Sequence, residues 1–572
     1  MSFSFRRALL VAVGLSTTLL SFAQKSTREE VPKNWHLLDV TTDGFYGINM
    51  KKAYEFVNSK KLKSTPVVVA VIDSGIDTLH EDLKSILWIN KKEIPGNGID
   101  DDNNGYIDDI YGWNFLGNTK GENVEKDSYE ATRLFHKLKD KYDAILTSDS
   151  ISIPDGVDQK ELEVFRRAKL DAVGTRAADS DIQKMRNQLF QLRQVEKILK
   201  KADITIQRSL NKEQYSCADL DSFSVQNDTA MHLRNIMMSI CSDNDTDEIT
   251  NDMLFADLEG EIDQLDSEIS KQDAMGIAPR NYRGEVVGDN YADINDRFYG
   301  NNDVMVSKKS ALHGTHVSGI IAAARNNGVG MDGVADNVRI MSIRAVPDGD
   351  EHDKDIALAI RYAVDNGAKI INMSFGKGFS PEKHWVDEAV KYAQSKGVLL
   401  VHAAGNSARN IDTAWNFPTS LMLDKSRASN WITVGASGDP KIGGLTASFS
   451  NYGKKEVDVF APGVQIYSTV PGGNTYMSLQ GTSMASPVVA GLAAFISSYY
   501  PNLTPEQLKT VIEKSAKNPG KKVNEPGTGN TVDLKDISTS GGIVDAYEAI
   551  KLAAGISENK PGKSKVENKK RN

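Results

Sequence analysis

Apolar and mostly β-branched residues run without a polar break from Val67 to Ile72 and stop at Asp73-Ser74-Gly75. Such a run predicts a strand buried on both faces, as in a parallel sheet, because a half-exposed strand alternates apolar and polar positions. Further on, the period keeps switching. Helical spacing is predicted over 313–325, 353–364, 382–396 and 484–500, the last of these being the final strong helix. Strand-like runs fall at 338–343, 368–373, 398–403, 432–436 and 457–460. Strands alternating with helices across short connections predict an α/β fold, a parallel sheet covered on both faces.

The stretch 120–283 breaks this rhythm. It is polar and highly charged, and its apolar residues recur every three or four positions. Leu134, Leu138, Tyr142 and Ile145 make one stripe; Ile182, Met185, Leu189, Leu192, Val195 and Leu199 a second; Leu254, Leu258, Ile262, Leu265 and Ile269 a third. These are amphipathic helices. They predict a helical insertion between two portions of the α/β domain, 64–119 and 284–555. The stripes either pack on one another or present a surface to a partner. Residues 24–63 form an N-terminal extension, and the Lys- and Asn-rich 556–572 is a disordered basic tail.

The first residues differ in kind. Arg6-Arg7, an apolar run from Ala8 to about Leu20 and then Ser21-Phe22-Ala23 have the layout of a signal peptide, 1–23. The chain is expected to be exported, to the cell envelope or beyond, with no transmembrane span. The net charge of −9 carries no basic surplus for nucleic-acid phosphates. In an oxidising compartment the two cysteines, Cys217 and Cys241, can pair; the sequence leaves this open.

Three segments carry candidate chemistry. Asp73 ends a buried strand, where catalytic groups of open α/β sheets gather, and Gly75 permits a tight exit. His313 begins an apolar helix, and Gly314 allows close approach. An imidazole suits proton transfer near neutral pH. His316, one turn on, could form a metal pair with it, but the Glu of a His-Glu-x-x-His site is absent, which favours His316 as a packed structural residue. Ser483 precedes Pro487, and proline is tolerated only in the first turn of a helix, so a helix starts near Ser483. Free backbone N–H groups there suit a developing oxyanion, although Ser483, like Ser486, also fits an N-cap. Asn406, after the predicted strand 398–403, is either a turn residue or an amide donor to that oxyanion.

Asp73-Ser-Gly, His313-Gly-Thr-His316-Val and Gly481-Thr-Ser483-Met-Ala-Ser-Pro487, in this order, resemble the subtilisin-like serine peptidases, the subtilase family. The order Asp, His, Ser and an asparagine oxyanion donor are features of that family. The resemblance covers about 64–118 and 290–550. It implies a subtilisin-like parallel sheet flanked by helices, with the α-helical insertion lying between the Asp and His motifs. It implies that Asp73 orients His313, that His313 activates Ser483, and that Asn406 with the Ser483 N–H holds the oxyanion. The segment Asn372-Met-Ser374-Phe375-Gly376, above all Ser374, Phe375 and Gly376, with Ala403, Ala404 and Gly405, would line a cleft in which an extended protein or peptide substrate pairs as an added strand. The expected function is a secreted serine endopeptidase acting through an acyl-enzyme. Two rivals are a self-processing binding or assembly protein using the insertion to hold a partner, and an esterase, although Ala485 breaks the Gly-x-Ser-x-Gly elbow.

The chain departs from small family members in separating Asp73 from His313 widely, in leaving only about forty residues before the first core strand, short for a folding prodomain, and in lacking a long β-rich extension after the last helix. One acidic segment is unexplained by the triad. In Ile99 to Asp109, Asp100, Asp102, Asn104 and Asp108, with Gly105 at the turn, follow the oxygen spacing of the first part of a calcium loop. Tyr111 stands where an EF-hand needs its closing Glu. A structural Ca²⁺ and a solvated acidic turn are both compatible with this, and Asp289, Asp293 and Asp296 could contribute to the former.

Overall fold

The computed structural model describes residues 31–558, apart from 148–155, 174–175, 213, 222, 225–226, 245–249 and parts of 252–277. The leader 1–23 and the tail from 559 onward lie outside the described residues. The chain divides into two compact units, one of residues 131–279 and one of 30–130 with 280 onward.

The larger unit is built on seven parallel strands in the spatial order β2-β3-β1-β4-β5-β6-β7. They are β1 Val67–Asp73, β2 Gly112–Asn114, β3 Val338–Arg344, β4 Ile370–Met373, β5 Leu399–Ala403, β6 Trp431–Ser437 and β7 Val459–Pro462. β1 lies in the middle, paired with β3 through Val67–Val338 to Asp73–Arg344 and with β4 through Val69–Ile370 to Ile72–Met373. Its alternate side chains therefore enter two cores. Val67, Val69 and Val71 face one with β4 Ile370 and β5 Val401, and Ala70 and Ile72 face the other with Met341, Ile371 and Leu400. This is the α/β sheet the sequence predicts.

Helices α1 Met50–Ser59, α2 Leu312–Ala322, α3 Asp353–Asp365, α4 Lys383–Ser395, α5 Thr482–Tyr499, α6 Pro505–Ser515 and α7 Ala546–Glu558 cover the sheet. α5 is buried over nearly its whole length, which is why it reads as apolar all round. The helix at 484–500 is not the last one: α6 and α7 follow. α6 opens with Thr504 and Gln507 in a reciprocal capping box and Pro505 at its first position, a start signal present in the sequence. An antiparallel hairpin, β8 Ile466–Val470 and β9 Thr475–Leu479, stands outside the main sheet.

The segment before β1 is part of this core. Trp35, Ile48, Met50, Ala53 and Val57 are all at most 1% exposed and lie in the same cluster as the inner face of the sheet. Trp35 Nε1 donates to the Val464 carbonyl at 3.1 Å, and the Ala546 N–H of α7 donates to the Ile48 carbonyl at 2.7 Å.

Segments before and after the insertion meet at the edge strand β2. Asn114 at the end of β2 and Asn301 exchange backbone hydrogen bonds of 2.9 and 3.1 Å, and Ile76 N–H reaches the Val304 carbonyl. The return from the long excursion is thus tied next to the loop leaving Asp73.

The smaller unit is helical, with helices Glu130–Thr147, Gln159–Val173, Arg176–Leu210 and Asp228–Asn244. Leu189, Leu192 and Leu199 of the second stripe and Leu254, Leu258, Ile262 and Ile269 of the third are buried in one cluster with Leu233, Met237 and Ile240. The stripes form that unit's own core. Cys217 and Cys241 are joined by a disulfide inside the same cluster. Among the described residues no helix is long and apolar enough to cross a membrane.

Candidate active site

The carboxyl ends of the central strands supply the scaffold. Asp73 is the last residue of β1 and is 2% exposed. His313 is the second residue of α2, and its Nδ1 lies 2.8 Å from Asp73 Oδ1. The approach needs glycine beside it: a Cβ at Gly314 would meet the Gly75 carbonyl at 2.2 Å and Asp73 Oδ1 at 3.2 Å. The same Oδ1 accepts the Ser74 N–H at 2.7 Å, while Oδ2 is buried without a hydrogen-bond partner. Burial alone would lower the His313 pKa, but the facing Asp73 carboxylate outweighs it and raises it above 6.5. With Nδ1–H given to Asp73, the Nε2 lone pair is available to take a proton.

His316 is fully buried, and its Nε2 faces the Met477 carbonyl of β9 at 3.1 Å. Burial, helped by the nearby charge of His313, lowers its pKa to about 3, so it stays neutral and packed.

Ser483 is the second residue of α5, whose N-cap is Gly481. Its N–H lies in the first turn, where helical bonding leaves such groups free. Ser486 is not an N-cap. It is buried inside α5, and its hydroxyl donates to Asn372 Oδ1 at 2.8 Å. Pro487 also lies past the first turn. In this structure the Ser483 hydroxyl donates to the Ser374 carbonyl at 3.2 Å.

Asn406 follows β5 and is exposed. Its Oδ1 accepts both the Thr482 N–H at 2.8 Å and the Thr482 hydroxyl at 2.9 Å, which fixes the direction of the amide. The Nδ2 end is thereby turned away from Thr482, 3.3 Å from where a Cβ on Gly481 would stand. Gly481 has φ +155°, at the edge of the region that favours glycine. Asn451 holds the same loop, bonding the Ala404 carbonyl through Nδ2 and the Ser407 and Arg409 N–H groups through Oδ1. Neither Thr482 nor Asn451 is singled out by sequence reasoning, since an orienting side chain has no pattern of its own.

Among the cleft residues, Gly376 is exposed and Phe375 half-buried, its carbonyl facing His402 Nε2 at 2.9 Å. Ser374 is 4% exposed and touches Ser483 twice. Gly405 N–H donates to Thr482 Oγ1 at 3.0 Å. Ala403 and Ala404 are buried, and Ala404 has its N–H on the Val434 carbonyl and its own carbonyl on Asn451. Its backbone is therefore committed inside the molecule.

In the acidic loop, Glu93, Asp100 and Asp102 bring carboxylate oxygens within 4.8 Å of one another. Glu93, from outside the segment singled out by sequence, is 6% exposed. Asp108 is taken up by the N–H groups of Gly96, Asn97 and Gly98, and Asn104 Oδ1 by the Tyr106 N–H. Asp289 pairs with Arg283 and Lys354.

The arrangement places an imidazole backed by a carboxylate, a serine at a helix N-terminus and an oriented amide at one end of the sheet. Groups of these kinds are the ones that acyl transfer employs. The sequence pattern of the Subtilase family matches residues 64–531. The chain is 43% identical over 205 residues to the "Thermophilic serine proteinase" of Bacillus sp. (strain AK1), covering 36% of this chain and 46% of that protein. It is 42% identical over 212 residues to "Subtilisin DY" of Bacillus licheniformis, covering 36% and 71%. It is 40% identical over 205 residues to "Thermitase" of Thermoactinomyces vulgaris, covering 36% and 67%. The chain spans about half the length of the first curated relatives it matches, 46% and 52%. The motifs, the sheet and a family match over most of the chain agree, and the chain belongs to the subtilase family.

Proposed function

We propose that this chain is an exported serine endopeptidase that cuts flexible or unfolded protein segments. The observation that carries the reading is the 2.8 Å contact of His313 Nδ1 with the buried Asp73, at the sheet end that also carries Ser483 and Asn406.

In the proposed reaction the Ser483 hydroxyl turns from the Ser374 carbonyl toward His313 Nε2 and attacks the scissile carbonyl carbon, its proton passing to Nε2. Asp73 stabilises the imidazolium through Nδ1–H. The oxyanion receives the Asn406 Nδ2–H and the Ser483 N–H. His313 then gives its proton to the leaving amine, and the acyl-enzyme forms. Water, deprotonated by the same Nε2, releases the acid product and restores Ser483.

Export rests on the N-terminal leader pattern and is supported by the Cys217–Cys241 disulfide, a bond that persists in oxidising compartments. A structural Ca²⁺ is proposed at Glu93, Asp100 and Asp102, a hard carboxylate set suited to that ion.

The test is fluorophosphonate labelling and casein digestion by wild type beside Ser483→Ala. Labelling and digestion by wild type alone support the reading. Equal digestion by both rejects it.

A further inference from the structure

In an α-helix the N–H of each residue bonds the carbonyl four residues earlier, and proline has no N–H. Pro487 in α5 therefore leaves the Ser483 carbonyl without its helical partner. The missing bond is supplied from outside the helix: the Ser374 hydroxyl, just beyond β4, donates to the Ser483 carbonyl at 3.0 Å. Ser374 Oγ in turn accepts Asn372 Nδ2 at 3.0 Å, and Asn372 Oδ1 accepts the Ser486 hydroxyl at 2.8 Å. Asn372 and Ser486 are 0% exposed and Ser374 is 4% exposed.

The chain of bonds has one direction. Each serine hydroxyl has a single proton, and the asparagine amide has a donor end and an acceptor end. Ser486 gives to Asn372, Asn372 gives to Ser374, and Ser374 has its proton left for Ser483. Without the Asn372 N–H the Ser374 hydroxyl is free to rotate, and the Ser483 carbonyl has no fixed partner. We propose that Asn372 is a positioning residue for Ser483, acting through the Ser374 hydroxyl to hold the nucleophile's backbone against the end of β4. The proposal rests on the reading of Ser483 as nucleophile. Attack geometry is sensitive to shifts well under 1 Å, so the effect falls on the chemical step rather than on substrate binding.

The experiment measures hydrolysis of labelled casein by Asn372→Ala, Ser374→Ala, Ser486→Ala and the Asn372→Ala/Ser486→Ala double variant. Each preparation is titrated with fluorophosphonate so that rates are expressed per competent site. Asn372→Ala and Ser374→Ala should lower kcat per titrated site about tenfold, with KM within twofold of wild type and the acid limb of the pH profile unmoved. The double variant should be no slower than Asn372→Ala, because the two residues lie on one chain of bonds. A purely structural role would lower the number of titratable sites and leave kcat per site intact. A fall of less than fivefold for Asn372→Ala, or a loss carried in KM, overturns the proposal. If Asn372→Ala yields no titratable enzyme, Ser486→Ala decides: a fall in kcat per site of at least threefold sustains the proposal and a smaller one ends it. Ser483→Ala is read separately, and its retaining label and activity would reject the nucleophile assignment itself.

Discussion

Asp73 and His313 stand 240 positions apart in the chain and 2.8 Å apart at their side chains. The carboxylate raises the pKa of the imidazole above 6.5 against the opposing effect of burial. A general base must be unprotonated, so the acid limb of kcat/KM is expected above pH 6.5. Asp73→Asn removes the raising charge and leaves burial, so the limb should move below pH 6.5 while kcat falls by about 10⁴. The same pair contributes to stability with the opposite sense: the contribution is full below pH 6.5 and is lost as pH rises through the raised folded-state value. A pH–rate profile of both proteins checks the first part, and denaturation midpoints across pH check the second.

Asn406 is aimed by Thr482. Asn406→Ala is expected to lower kcat about 10² to 10³-fold with little change in KM, a magnitude taken over from subtilisin rather than from this geometry. Thr482→Val should cost about tenfold or less, since the amide keeps its bond from the backbone N–H of residue 482 and loses only the one from the hydroxyl. Steady-state kinetics on one peptide substrate distinguishes the two. An unaltered kcat in Asn406→Ala would remove it from the oxyanion site.

Glu93, Asp100 and Asp102 form the proposed Ca²⁺ site. Calcium should raise the melting temperature, and excess chelator should lower it by several degrees, as expected for a ligand that binds only the folded state. Glu93→Gln should abolish most of the difference between calcium and chelator. Melting curves that are indifferent to calcium would reject the site.

Cys217 and Cys241 close a stretch with a sequence separation of 24 inside the helical unit's core. Cys217→Ser/Cys241→Ser should destabilise that unit by about 3 kcal/mol. The bond lies in the unit formed by 131–279, so activity per active site should be retained. Calorimetry with and without reductant, beside casein hydrolysis, tests both halves.

Trp35 is fully buried and donates its ring N–H to the Val464 carbonyl. Trp35→Ala should cost about 3–5 kcal/mol, the usual range for emptying an aromatic core position. Denaturant unfolding measures it. A loss below 1 kcal/mol would show that the segment before β1 is loosely held.

What was legible in the sequence follows from how local its cause is. The strand to Asp73 could be read because burial on both faces forces an unbroken apolar run, and the insertion because its helices bury one stripe each. α1 was missed: Lys51, Lys52 and Glu55 hide the three buried positions Met50, Ala53 and Val57 in an otherwise polar segment. The candidate site was legible in its three motif residues and in Asn406, but not in what aims them. Thr482 and Asn451 act on partners dozens of positions away, and Asn372, although inside the segment expected to line the cleft, bonds Ser374 beside it and Ser486 across the fold, so no local pattern marks what these three aim. Ser486 read as a cap because serine is common there, whereas its partner is Asn372 on a neighbouring strand. Glu93 carries no such signal, because it precedes the acidic run and reaches the site only through the fold of the loop.

The docking of α1 against α7 has a consequence for survival in a proteolytic milieu. Phe56 meets Tyr547 edge-on at 6.2 Å, and the backbone joins at Ile48 and Ala546. Under the activity proposed above the substrate is extended chain, so a helix must open locally before it is cut. Here neither segment can peel away without breaking the other's contacts, and nicking must wait for a larger and rarer opening. Under the proposed activity, the resistance of these two segments to self-digestion would follow from the clasp between the helices.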